Sequence, residues 1–324
     1  MGFGLFKLGF RLVIWDNGDN MRNITHITGS IRELLPERRP DGYKGTFGKV
    51  FIYSGSYGSA GCALLAGRAA YRTGAGMVKI SSPECNRVVI QTALPEALYD
   101  TGAFEGYRME MIGRWSDVFL AGPGIGTDKD AEDRLRALIT GSGDMPLVLD
   151  ADAITIMSIG GGKDIADIIK QQASEGRQII LTPHRGELLS LTHILPSGIR
   201  EEISEEISDV VYKSGADSDS SRLEIALAVS EYLGCTVAAK GAVTYTVTPG
   251  REIICSDDCG NSGMGTAGSG DVLAGIIAGL LAQGLDAHTA ASRGVRIHAL
   301  AGDRAAAAKC EHALMAGDIP EYIY

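Results

Sequence analysis

From Lys44 onward, short apolar runs alternate with longer segments of helical period. Val50–Ser54, Met77–Ser81, Asp117–Ala121, Leu147–Leu149, Ile179–Leu181 and Thr236–Ala239 predict buried strands. Thr244–Val247 and Glu252–Cys255 predict a hairpin. Cys62–Thr73, Asp271–Gln283 and Ala287–Ala308 predict helices, and Val272–Leu281 is so apolar that it predicts burial all round. This alternation indicates an α/β fold with a parallel sheet covered on both faces. The strands run out into polar or glycine-rich chain: GPGIG at Gly122–Gly126, DAD at Asp150–Asp152, TPHRGE at Thr182–Glu187, KG at Lys240–Gly241. Ligands of open α/β sheets bind beyond that edge, so these ends predict one composite site.

The chain has 324 residues, 45% of them hydrophobic, enough for one large domain or two smaller ones. A net charge of −10 argues against a nucleic-acid surface, which needs a basic face. It leaves small phosphorylated ligands open, since backbone N–H groups hold those locally. The six cysteines (Cys62, Cys85, Cys235, Cys255, Cys259, Cys310) contain no CxxC. Cys255 and Cys259 are the closest pair, with no nearby His or second pair to complete a zinc set. They read as reduced thiols, hence a cytoplasmic protein. The apolar start, MGFGLFKLGFRLVIW, is broken by Lys7 and Arg11 and falls short of the ~20 residues of a membrane span. Residues 1–35 read as an N-terminal extension, with Met21 an alternative start that leaves the first twenty residues without structural consequence, and 36–324 as a single domain entered through the linker Pro36–Gly45. The charged, serine-rich Pro196–Arg222 reads as a surface excursion without chemistry.

The densest chemistry lies in GNSGMGTAGSGDVLAGIIAGLLAQG, Gly260–Gly284. A glycine-rich loop entering a helix presents free N–H groups at a positive dipole end, which suits phosphate oxygens. Asp271 sits at the mouth of that anion site. A carboxylate there repels phosphate, a disadvantage that makes sense if it handles a proton. The plainer reading is an ordinary helix cap at Ser269 or Asp271. There is no G-x-x-x-x-G-K-[ST], and Gly45–Lys49 has the wrong spacing for one. Gly263–Gly268 does read G-x-G-x-x-G, but no apolar strand run leads straight into it as the dinucleotide-binding turn requires, which disfavours a hydride-transferring Rossmann enzyme.

Seven motifs in order carry a resemblance: GSYGSAGCALLAGRAAYRTGAGMVK (Gly55–Lys79), PEAL (Pro95–Leu98), AGPGIG (Ala121–Gly126), LVLDADAI (Leu147–Ile154), LTPHRGE (Leu181–Glu187), KGAVT (Lys240–Thr244) and Asn261–Gly284. Over nearly all of Lys44–Pro320 the chain resembles the ADP/ATP-dependent NAD(P)H-hydrate dehydratases. The resemblance implies a ribokinase-like three-layer α/β/α sandwich with a mostly parallel central sheet. It departs from the family pattern at Cys62, at Gly265 and Ala267 within the glycine loop, and at Thr155 after DADAI.

The resemblance implies dehydration of NADHX or NADPHX to NADH or NADPH, with ADP or ATP as co-substrate and Mg²⁺ beside the phosphates. Phosphorylating the ring hydroxyl would turn a poor leaving group into a good one. Asp271 would be the general base, and Ala267, Gly268, Ser269 and Gly270 would form the anion hole. Lys240, Gly241, Ala242, Val243 and Thr244 would hold the nucleotide with that loop. Cys62, Gly124, His184 and Asp271 would face NAD(P)HX, with His184 serving either the substrate or the TPHRGE turn. Asp150 and Glu187 would position Mg²⁺ through water, or Asp150 and Asp152 would simply cap a helix. Relatives carry a preceding epimerase domain, and too little chain precedes Lys44 to hold one. The resemblance therefore implies a stand-alone dehydratase with the epimerase as functional partner, and a homotetramer or similar assembly. The competing readings are a vitamin-precursor kinase of the same fold and a nucleotide-binding regulator without turnover.

Overall fold

The apolar runs lie side by side as strands in a computed structural model, which describes residues 6–8, 11–15, 21–102, 104–159, 163–201, 203 and 219–324. In chain order the strands are β1 (Phe6–Leu8), β2 (Arg11–Trp15), β3 (Met21–His26), β4 (Lys49–Tyr53), β5 (Met77–Ser81) and β6 (Leu98–Asp100). They continue with β7 (Val118–Ala121), β8 (Leu147–Leu149), β9 (Ile179–Leu181), β10 (Thr236–Ala239), β11 (Thr244–Val247) and β12 (Ile253–Ser256). The sheet order is β1-β2-β3-β12-β11-β10-β9-β8-β7-β4-β5-β6. From β10 to β6 every neighbour is parallel, whereas β11 runs against both β10 and β12.

Each central strand buries both faces, which is why its residues are apolar without alternation. Phe51, Phe119, Leu147, Leu149 and Leu181 enter one core, covered by helices that include Lys129–Gly141, Asp152–Ser158 and Asp219–Leu233. Val50, Ile52, Val118, Leu120, Val148 and Ile180 enter the other, beneath Ala60–Thr73, Ser269–Ala282 and Ala287–Lys309. The result is a three-layer α/β/α sandwich. The helices Ala60–Thr73 and Ser269–Ala282 meet backbone to backbone. A Cβ on Gly275 would stand 2.2 Å from the Ala66 carbonyl oxygen, and one on Gly279 3.0 Å from that of Ala70.

The N-terminal expectation is revised. Met21–His26 joins the sheet parallel to β12, with Ile24 opposite Ile253 and His26 opposite Cys255. Ile24, Ile31 and Leu34 are buried, and β2 pairs antiparallel to both β1 and β3. Chain assigned to an extension is thus part of the fold. Ile24 is set among polar neighbours, so the segment shows no period to read. Within the excursion Pro196–Arg222, residues 202 and 204–218 lie outside the described residues, and Asp219–Arg222 opens a helix. Among the described residues no helix is long and apolar enough to cross a membrane.

Candidate active site

Gly268, at φ +92°, ends the glycine loop, and the helix Ser269–Ala282 begins at the next residue. A Cβ there would fall 2.4 Å from Leu65 Cδ1, so glycine meets both a backbone and a space requirement. Asp271 lies in the first turn. Burial, reinforced by Asp150 and Asp152, pushes its carboxyl up to about 6, while a hydrogen bond from Cys62 and the charge of Lys240 pull the other way. That leaves a carboxylate poised to take a proton near neutral pH.

Cys62 comes from the first turn of Ala60–Thr73, across the backbone seam from Asp271. Burial, together with Asp271, pushes its thiol up to about 12, so it stays protonated and donates. Gly124 closes the same corner: it has φ +63°, and its Cβ would stand 2.8 Å from Cys62 Sγ. Gly122 lets the GPGIG loop press on the DAD loop, since its Cβ would fall 1.8 Å from the Asp150 carbonyl oxygen. Asp152 accepts the Gly126 N–H at 2.8 Å, so it pins the glycine loop as well as opening its own helix.

Beside this corner lies a charge cluster. Lys240 Nζ is 2.7 Å from Asp150 Oδ1 and 4.0 Å from Glu187 Oε2, and Thr182 Oγ1 donates to Asp150 Oδ1 at 2.8 Å. Burial alone would lower the Lys240 ammonium, but Asp150, Glu187 and Asp271 outweigh it and hold it above its ordinary value. Burial raises the Glu187 carboxyl against the pull of Lys240. Glu187 Oε2 also accepts the His184 backbone N–H at 2.8 Å, and His184 Nδ1 accepts the Glu187 N–H at 3.2 Å. His184 therefore fixes the TPHRGE turn as a helix cap. It also lines the neighbouring cavity.

That cavity, about 730 Å³, is lined by Lys240, Gly241, Ala242 and Thr244 on one side and Ser269 and Gly270 on another. A Cβ on Gly270 would stand 3.1 Å from Lys240 Nζ, so the helix start looks directly onto the ammonium. Val243, by contrast, packs against the hydrophobic core, and Ala267 is exposed just ahead of Gly268. His298, which the sequence patterns do not single out, also lines the cavity. Its Nε2 is 3.2 Å from Ser269 Oγ, and burial with the nearby Lys240 pushes it down to about 4, leaving it neutral. His298 is one of two histidines in the helix Ala287–Lys309, and its local sequence carries no signal that separates it from a core residue.

Asp150 and Glu187 do not suit direct Mg²⁺ ligation. The position between them belongs to Lys240, and one oxygen of each already accepts a hydrogen bond.

A helix start with free N–H groups, a half-buried lysine and a carboxyl raised toward neutral pH thus lie together beyond the ends of parallel strands, in a ribokinase-like three-layer fold. The family model described as NAD(P)H-hydrate dehydratase matches residues 50–324. The chain belongs to the NAD(P)H-hydrate dehydratase family. It is 31% identical to the ADP-dependent (S)-NAD(P)H-hydrate dehydratase of Neisseria meningitidis serogroup B, over 89% of this chain and 87% of that protein. It is 32% identical to the bifunctional NAD(P)H-hydrate repair enzyme Nnr of Moorella thermoacetica, over 90% of this chain but 51% of that protein. The chain thus spans about half the length of the bifunctional relatives it matches. Among solved structures, a ribokinase-like superfamily protein from Enterococcus faecalis superposes with TM-score 0.70 at 25% identity, over 93% of this chain and 94% of that one. The ADP/ATP-dependent NAD(P)H-hydrate dehydratase of Bacillus subtilis, co-crystallised with ATP/Mg²⁺, gives 0.67 at 24%, over 90% and 93%.

Proposed function

We propose that this chain is a hydro-lyase that returns NADHX and NADPHX to NADH and NADPH at the expense of ADP or ATP. The observation that carries the proposal is Asp271, a carboxyl pushed up to about 6 beside an anion-receptive helix start. Asp271 takes the proton of the ring hydroxyl as that oxygen attacks the terminal phosphoryl group. The bond to the nucleotide breaks, releasing AMP from ADP or ADP from ATP. The new phosphate ester then leaves the ring as inorganic phosphate, a ring proton is lost, and the double bond is restored. Backbone N–H groups at Gly268–Gly270 and the Lys240 ammonium stabilise the charge spread over the transferring group. Cys62, Gly124 and His184 shape the hydrate's side of the corner, and Gly241, Ala242 and Thr244 the nucleotide's side. Asp150 and Glu187 would position Mg²⁺ through water rather than by direct ligation, and the ion would supply neutralisation of phosphate charge.

On this reading the chain works in the cytoplasm beside an epimerase that interconverts the hydrate epimers, and by resemblance as a homo-oligomer. The test is to supply hydrated NADH and follow the return of NADH absorbance with ADP, with ATP and with neither. Nucleotide-dependent recovery with matching phosphate release is expected. A stable phosphorylated product without phosphate release would instead identify a kinase.

A further inference from the structure

Cys255 and Cys259 lack a zinc partner along the chain, but the fold supplies one from more than two hundred residues away. Parallel pairing of β3 with β12 sets His26 directly opposite Cys255. Asp257, two residues beyond Cys255, joins them: the Cys255 sulfur, a His26 ring nitrogen and an Asp257 carboxylate oxygen all lie within 4.8 Å of one another. His26 Nδ1 and Asp257 Oδ1 are already 2.9 Å apart. Cys259 is not part of this group; its sulfur faces Ser256 and Arg296 at 3.5 and 3.3 Å.

From this juxtaposition we infer that His26, Cys255 and Asp257 form a site for a borderline-soft divalent cation, zinc above all, with water at the fourth position. One thiolate, one imidazole and one carboxylate make a donor set that zinc favours and magnesium does not. Ligand atoms around one tetrahedral zinc lie roughly 3–4 Å apart. His26 and Asp257 are exposed at the end of the sheet, where their side chains have room to turn toward Cys255, which is held from below by the core. The Cys255 thiol gives up its proton to solvent on binding. The site also has a structural meaning. Ser256, on the opposite face of β12, lines the nucleotide cavity, and the chain runs on from Asp257 into the cavity residues Cys259 and Gly260. A cation here would staple β3 to the strand that builds the cavity wall, at a place distinct from the Asp271 corner.

The experiment uses the whole chain stripped with EDTA and titrated with Zn²⁺ and, separately, Co²⁺. The expected result is one equivalent bound per chain, with a near-ultraviolet thiolate-to-cobalt charge-transfer band. Cys255→Ser should abolish that band. His26→Ala, at an exposed position that does not threaten folding, should weaken Zn²⁺ binding by about tenfold or more. Substoichiometric binding, a band that persists in Cys255→Ser, or His26→Ala affinity equal to wild type would each overturn the site. None of these readouts depends on dehydratase activity.

Discussion

Replacing Asp271 with asparagine separates stability from activity, and the size of the effect can be worked from the site. Burial and the neighbouring Asp150 move the carboxyl from 3.8 to about 6. For an acid, a raised folded-state pKa means that the folded chain binds the proton more tightly than the unfolded one. Folding is therefore unpenalised below about pH 4, grows less favourable as pH rises through 6, and carries a constant penalty above that. That penalty is up to about 3 kcal/mol at neutral pH. Asparagine cannot ionise, so Asp271→Asn should stabilise the chain by up to this amount at pH 7.5, and the gain should shrink toward zero at pH 4. The assay is urea unfolding of both proteins without nucleotide at the two pH values, comparing midpoints at equal slope. Turnover of the variant should fall by at least about a hundredfold, the scale of a lost general base. A variant no more stable than wild type at pH 7.5, or equally stabilised at both pH values, would refute the account of a strained base.

Three further perturbations probe the surrounding groups. Cys62→Ala removes a hydrogen bond that favours the ionised Asp271, so the acid limb of kcat/KM should move upward by about half to one pH unit with the alkaline plateau unchanged; an unmoved limb would show that the thiol does not reach the base. Gly270→Val inserts a branched side chain whose Cβ would start 3.1 Å from Lys240 Nζ, so fluorescent-nucleotide titration should show affinity down by about tenfold or more, and near-wild-type affinity would remove the loop from the nucleotide site. Lys240→Met strands the buried Asp150 carboxylate and should lower unfolding free energy by about 3–5 kcal/mol; a loss below about 1 kcal/mol would mean that Thr182 alone satisfies Asp150.

The central strands are legible because burial on both faces writes itself as unbroken apolar sequence. Met77–Ser81, Leu147–Leu149, Ile179–Leu181 and Thr236–Ala239 fall at the predicted positions. The second hairpin strand is Ile253–Ser256 rather than Glu252–Cys255, and the helix that carries Asp271 starts at Ser269 rather than Asp271, because cap geometry at Gly268 fixes the boundary. Asp271, Cys62 and Gly124 can be found from small-residue motifs that only a closely approached ligand or backbone explains. The hidden part is long-range. The pairing of β3 with β12, the Thr182–Asp150–Lys240 chain and the His298–Ser269 contact each join residues whose local sequence says nothing about the partner. His184 reads from its motif both as a turn-fixing and as a substrate residue; its ring makes the cap and still borders the cavity.

The seam at Gly275 and Gly279 has a mechanical consequence. Two helices touching through their main chains cannot slide or part without opening a void along their whole contact, so the supports of Cys62 and Asp271 behave as a single beam. On the proposed function, exchange of ligands would then fall to the loops around the site rather than to these two helices. A residue larger than glycine at Gly275 would force the two helices apart, so the separation of Cys62 from Asp271 and the packing beneath them would change together.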